Sequence, residues 1–356
     1  MQKKTRDYFN IEKHSSLKPG KWNKITDIEG VKVGHSTLAD GDIQTGVTVV
    51  MPHENNIFKN KLRAAVHVIN GFGKSIGLVQ IRELGSIESP IVLTNTLNVG
   101  TVSTALIKNI LAQNEDIGGK AGSFNSVVLE CNDQYLNNLR KLAVQEKDYF
   151  KAKENIKKDF REGAVGAGRG MSCYGLKGGI GSSSRRFKIS EDEYHLGALV
   201  LSNFGKKKDF LLYGKSLSDI MPQKDEEEKD EDREYKSQDG SVIVILATDL
   251  PLSSRQLKRL CVRAGAGLAK TGTYISNGSG DIVLAFSTAD YITEYDSGDF
   301  LQNKILKDRK LDIVFKAAVE STQEAVYNSM VTAESVTGFK GRSRESLKNL
   351  INNMER

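Results

Sequence analysis

Apolar residues along this chain fall into two rhythms. Short runs recur at residues 31–33, 45–51, 64–69, 91–94, 126–129, 196–202, 241–247 and 281–286. Each is short and bounded by turn residues, and the run at 241–247 is largely β-branched, which predicts strands. Four longer segments, 101–113, 134–145, 253–270 and 311–331, space their apolar residues at helical intervals. Ser253 and Ser254 can cap the third, and Gly338 follows the fourth within a short polar stretch. Strands mixed with amphipathic helices predict a layered α/β or α+β body.

One stretch breaks the pattern. Residues 224–236 carry eight acids and four bases with one aromatic and no aliphatic side chain, so they cannot bury enough surface to offset the entropy of ordering. This predicts a flexible acidic loop over 222–239. It ends at Asp239-Gly240, and Ser241 then opens a wholly apolar run closed by Thr248-Asp249-Leu250-Pro251. The segment after the loop has too few strands and helices to cover both faces of a sheet alone. Residues 1–356 are therefore read as one domain with a loop inside it, and no fixed-period repeat is visible.

Composition narrows the function classes. A chain of 356 residues can bury a substantial core. Its 51 basic and 45 acidic residues give a net charge of +6 but are interspersed, which predicts no nucleic-acid partner. The Lys206-Lys207-Lys208 run lacks neighbouring aromatics for base stacking. Cys131, Cys173 and Cys261 are widely spaced with no CxxC pair, which argues against a disulfide framework and for a reducing compartment. His14, His35, His53, His67 and His195 lack ligand spacing, so no metal or other cofactor is expected. Residues 1–20 never reach an apolar signal core, and no run approaches membrane-spanning length. The expectation is a soluble cytoplasmic protein with no membrane partner.

The glycine-rich segments at 70–74, 95–100 and 163–181 do not supply nucleotide chemistry. The last carries eight glycines, but neither a dinucleotide fingerprint nor a Walker loop has its required offsets. Close backbone approach is their expected role. Candidate chemistry lies at strand ends instead. Ser241 stands at the mouth of one apolar strand, and Ser279 and Asp281 stand at another, two residues apart and hence on one face. Glu130 ends the strand at 126–129 and would be costly to bury without a cation, and Asn203 ends the strand at 196–202, where its amide can donate to an oxyanion. Each position also has a plain reading as turn or cap chemistry.

Together these segments resemble the DmpA-type aminopeptidases, self-cleaving N-terminal serine hydrolases that include the β-peptidyl aminopeptidases. The resemblance runs from Ile25-Thr26-Asp27-Ile28-Glu29-Gly30-Val31-Lys32-Val33-Gly34-His35 through the loop at Asn70, Glu130, 175–181, Asn203-Phe204-Gly205, Asp239-Gly240-Ser241, the helix expected over 252–272 and Ser279-Gly280-Asp281 to Ala333-Glu334-Ser335-Val336-Thr337-Gly338. It implies a four-layer α/β/β/α sandwich and cleavage of the Gly240–Ser241 bond into an α chain, 1–240, and a β chain, 241–356. Ser241 would then be the nucleophile, with Ser279 and Asp281 as its partners, Asn203 in the oxyanion hole and Glu130 binding the substrate ammonium. Some relatives place a tyrosine where this chain has Asn132, so the second oxyanion donor is either Asn132 or Tyr135. The implied substrate is a small peptide, amide or ester with a free N-terminus, and the implied assembly is a homo-oligomer of αβ units. The Ser241 α-amine has an ordinary pKa near 8, suited to a general base; whether it serves as one is left open. A self-cleaving acyltransferase of the ornithine acetyltransferase type, which would cut before threonine, and an uncut binding protein are the alternative readings.

Overall fold

The strand Ser241–Thr248 sets the architecture. Val242, Val244 and Leu246 belong to one apolar cluster, Ile243, Ile245 and Ala247 to another, and all six are buried. A strand apolar on both sides needs a layer on each face. The computed structural model describes residues 2–220, 240–293 and 299–354; the acidic loop expected at 222–239 lies outside them.

Numbering only the strands of the two main sheets, the smaller sheet contains β1 (Lys32–Asp40), β2 (Ile43–Met51), β5 (Ile91–Asn95) and β6 (Val127–Cys131), in the order β1-β2-β5-β6. The larger contains β3 (Asn60–Gly71), β4 (Ser86–Ile87), β7 (Gly179–Ile189), β8 (Asp192–Asn203), β9 (Ser241–Thr248) and β10 (Gly280–Thr293), in the order β4-β3-β10-β9-β8-β7. β9 is thus central, antiparallel to β8 and parallel to β10.

Val49, Val92 and Val128 from the smaller sheet share one buried core with Leu201, Ile243 and Ile282 from the larger. Helices α1 (Val99–Leu111) and α2 (Glu146–Glu154) pack on the smaller sheet. Helices α3 (Ser254–Ala269) and α4 (Leu311–Val331) cover the larger one. The result is the expected four-layer α/β/β/α sandwich. Within 163–181, Gly181 shows why glycine recurs: a Cβ there would lie 2.0 Å from the Ala325 carbonyl oxygen of α4. The helix can press onto β7 only because no side chain intervenes.

Two helix expectations hold closely. Ser253 caps α3, its Oγ accepting the Gln256 N–H at 3.3 Å while the Gln256 side chain accepts the Ser253 N–H. Residues 311–331 form α4 as expected. The helix expected at 134–145 does not form. Tyr135 and Leu136 turn toward Val336, a single 3-10 turn spans Leu139–Lys141, and Leu142 takes a left-handed φ of 44°. The helix starts afterwards, as α2, with only Asp148, Tyr149 and Ala152 buried.

Candidate active site

Register across the larger sheet gathers the strand-end residues. Asn203 on β8 pairs with Ser241 on β9, Ser241 pairs with Gly280 on β10, and Gly280 pairs with Gly71 on β3. Ser241 alternates with Val242, so its side chain falls with Ile243 on the face toward the smaller sheet. There it meets β6: the Asn132 N–H donates to Ser241 Oγ at 3.3 Å. Ser241 is buried at 5% exposure, which keeps bulk water from its hydroxyl.

Asn203 lies on the same face. Its Oδ1 accepts the Ser172 N–H at 2.8 Å and its Nδ2 donates to the Asn132 carbonyl at 2.8 Å. A donor on one side and an acceptor on the other fix which way the amide points. One Nδ2 hydrogen remains for another acceptor.

Asn132 contributes through its backbone. Its side-chain Oδ1 turns back to accept the Gln134 N–H at 3.1 Å, while the main-chain N–H faces the serine. Tyr135 belongs to a different cluster: its ring lies under the Arg344 guanidinium, 3.4 Å from the centroid, with Arg342 at 5.6 Å.

Glu130 is 3% exposed. Its Oε1 accepts the Lys74 N–H at 2.8 Å, and among the described residues no cationic side chain pairs with it. A point beside Gly73 lies 3.5 Å from this oxygen and 3.8 Å from the Gly280 Cα, so the carboxylate and the start of β10 flank the same loop. Cys131 reports the same neighbourhood. Burial pushes its thiol well up, Glu130 and Asp281 add to that, and the Ser241 hydroxyl opposes it.

The Ser279 hydroxyl donates to Asp281 Oδ1 at 2.7 Å, in a buried contact. Asp281 pairs with Val242, whose side chain packs on the helix side. The Ser279–Asp281 pair therefore occupies the opposite face of the sheet from Ser241 Oγ, beside the backbone at the start of β9. Burial pushes the Asp281 carboxyl up to about 6, with the Ser279 hydroxyl and the Val242 N–H pulling the other way. Its Oδ2 is buried and accepts no hydrogen bond among the described residues.

The Asn70 loop and Gly280 stand out in the sequence, but the contacts by which they hold this geometry do not. Asn70 donates from Nδ2 to the carbonyls of Ser276, Asn277 and Ser279 at 3.1, 2.8 and 2.5 Å, anchoring the turn before β10. An asparagine at a strand end followed by glycine was its available signal. The Gly280 N–H donates to the Gly240 carbonyl at 3.2 Å, and a backbone donor has no signature in sequence. Gly240 itself is required by space, since a Cβ there would lie 2.5 Å from the Phe204 Cα and 2.6 Å from the Asn203 carbonyl oxygen.

Sandwiched sheets with a serine leading a central strand define a hydrolase of the Ntn architecture. The chain belongs to Peptidase family S58, whose pattern matches residues 23–344. It is 33% identical over 347 residues to the β-peptidyl aminopeptidase BapA of Sphingosinicella microcystinivorans, covering 93% of this chain and 86% of that one. Among solved structures it resembles the PH0078 protein of Pyrococcus horikoshii OT3, at 45% identity and TM-score 0.86 over 96% of both chains. It also resembles the L-aminopeptidase D-Ala-esterase/amidase of Ochrobactrum anthropi, at 33% identity and TM-score 0.85, again over 96% of both. Membership decides among the readings left open by the residues: the chain is a peptidase-type hydrolase. No helix among the described residues is long and apolar enough to cross a membrane.

Proposed function

We propose that this protein is a serine aminopeptidase that first cuts its own Gly240–Ser241 bond and then releases N-terminal residues from small peptides, amides or esters. The observation that carries the reading is that the Asn132 N–H meets Ser241 Oγ and Asn203 pairs with Ser241, with the buried Glu130 two residues before Asn132, while the Gly240 carbonyl already accepts a hydrogen bond from Gly280.

In the first step Ser241 Oγ adds to the Gly240 carbonyl carbon. Gly280 N–H stabilises the developing oxyanion. The C–N bond breaks as the proton given up by the Ser241 hydroxyl passes to the nitrogen, and the acyl group rests on oxygen as an ester. Water then hydrolyses that ester, freeing a Gly240 carboxylate, the Ser241 hydroxyl and a Ser241 α-amine.

In turnover the substrate ammonium pairs with Glu130, whose carboxylate otherwise accepts the Lys74 N–H. Ser241 attacks the adjacent carbonyl, and the oxyanion falls between Asn203 Nδ2 and the main-chain N–H of Asn132. This makes the backbone of Asn132 the second donor, ahead of its side chain or Tyr135. Collapse of the oxyanion breaks the bond to the leaving amine or alcohol, which departs with the proton taken from the serine hydroxyl, and water hydrolyses the acyl-enzyme on Ser241 to release the N-terminal residue. The freed Ser241 α-amine supplies the general base. Its geometry suits Asp281, whose buried Oδ2 lacks a donor and lies on the backbone side of β9. Ser279 orients that carboxylate.

We further propose a homo-oligomer of αβ units in the cytoplasm, where a reducing environment suits the buried, unpaired Cys131, Cys173 and Cys261. Denaturing electrophoresis tests the core of the reading. Wild type is expected to resolve into two bands, while Ser241→Ala stays at 39.2 kDa; cutting at this bond in the variant would overturn it.

A further inference from the structure

Lys177 is fully buried, and its ammonium bonds to three carbonyls: Gly168 at 3.0 Å, Met171 at 2.6 Å and Gly178 at 2.8 Å. Three acceptors match the three hydrogens of an ammonium and exceed the two of a neutral amine. The geometry thus favours the charged form, although burial, and after it Arg169, push the lysine well down from its ordinary value. Asp133 and Cys173 pull the other way. A buried charge held by carbonyls alone is an expensive feature if its task is only to tie loops together.

The Met171 contact reaches the active site. That carbonyl and the Ser172 N–H belong to one planar, resonant peptide group, and the Ser172 N–H is the donor to Asn203 Oδ1. A cation on the carbonyl draws density through the peptide and makes the N–H a stronger donor. The same effect passes through the Asn203 amide to its Nδ2, which lies on the Ser241 face and already donates to the Asn132 carbonyl.

We propose that Lys177 is a positioning residue for the oxyanion site. Through the Met171–Ser172 peptide it locks the orientation of the Asn203 amide and strengthens Nδ2 as a donor. This inference rests on the assignment of Asn203 to the oxyanion hole made above.

A double-mutant cycle tests it. Lys177→Met, Asn203→Ala and the combined variant are assayed on an aminoacyl amide, with rates expressed per cut chain. Lys177→Met is expected to lower kcat about tenfold or more while KM stays within about threefold. Added to Asn203→Ala, it is expected to cost less than about twofold, because its route to the reaction is already gone. An equal cost in both backgrounds overturns the inference. An Asn203→Ala enzyme with unchanged kcat instead overturns the oxyanion assignment, and the inference with it.

If Lys177→Met does not fold, the pH dependence of kcat in wild type and Asn203→Ala decides. The folded pKa is lowered, so the ammonium is present below it and lost as pH rises through it. Wild type should show an alkaline fall in kcat that Asn203→Ala lacks; the same fall in both sinks the proposal.

Discussion

Asn203 and Ser241 face each other across an antiparallel strand pair, and the amide of the first is held by Ser172 on one side and Asn132 on the other. The orientation of the donor is thus set before any substrate arrives, the condition under which a hydrogen bond contributes most to a transition state. Asn203→Asp keeps an acceptor for the Ser172 N–H but puts an anion where the proposed mechanism places the oxyanion. We expect kcat to fall by about 10³-fold with the fold retained, as read by steady-state kinetics and circular dichroism; a change in KM alone would count against the assignment.

Gly240→Ala should slow self-cleavage. The added methyl would sit 2.5 Å from the Phe204 Cα, so the peptide must move away from the Gly280 donor. A time course on denaturing gels is expected to show the 39.2 kDa chain accumulating. Cleavage at the wild-type rate would mean that the hydrogen bond to Gly280 is immaterial.

Glu130→Gln should raise KM for an aminoacyl amide by about tenfold or more and lower kcat less, because binding of the ammonium is common to ground and transition states. An N-acetylated substrate should be poor for both enzymes. If wild type cleaves the acetylated and free-amine substrates equally well, Glu130 is not the amine-binding group.

Asp281 gives a pH prediction. Its carboxyl is raised to about 6 in the uncut chain, and a neighbouring ammonium would draw it down after cleavage. The Ser241 α-amine must be neutral to act as general base, and the Asp281 carboxylate beside it favours the ammonium form, so the acid limb in kcat/KM is the amine's and is expected at or above about pH 8. Asp281→Asn should move this limb to lower pH and lower the plateau; a limb that stays in place would count against the pairing. For stability the sign reverses, since the folded chain holds the Asp281 proton more tightly than the unfolded chain between pH 3.8 and about 6.

Glu324 has the opposite sign. Burial raises its carboxyl, but Arg185 and Arg6 outweigh that and bring it down to about 2. Its contribution is present above pH 4.5 and is lost as pH falls toward 2, and is on the order of 3 kcal/mol. Glu324→Gln should lower the urea midpoint at pH 7 and differ less from wild type at pH 3. A gap that stays constant between the two pH values would show that the carboxylate charge is not the source.

The sequence disclosed the layers because buried strands and long amphipathic helices obey strict periods. Ser253–Gln256 and α4 were legible for that reason. The segment 134–145 imitated a helix because Tyr135, Leu136, Leu139 and Leu142 fall at helical spacing, yet tertiary contacts with Val336 take the first two. At the site, residue types were legible and faces were not. Ser241, Ser279 and Asp281 all stand at strand mouths, but only the parallel register shows that the hydroxyl of the first and the carboxylate of the last lie on opposite sides of the sheet. The roles of Gly280 N–H and Asn132 N–H were hidden because every residue but proline carries that group. Lys177 was hidden because lysine is seldom interior.

The central position of β9 has a further consequence once the Gly240–Ser241 bond is cut. β9 and β10 would come from one piece, while β3 and β8, hydrogen-bonded on either side of them, come from the other. The smaller sheet would belong to the first piece alone, but neither piece owns the larger one, so separating them means taking that sheet apart between β3 and β10 and between β8 and β9. Before the cut, refolding is a unimolecular event; afterwards it requires two chains to find each other and becomes concentration-dependent. The cut would therefore tie the stability of the mature enzyme to its own concentration, which the intact precursor does not share.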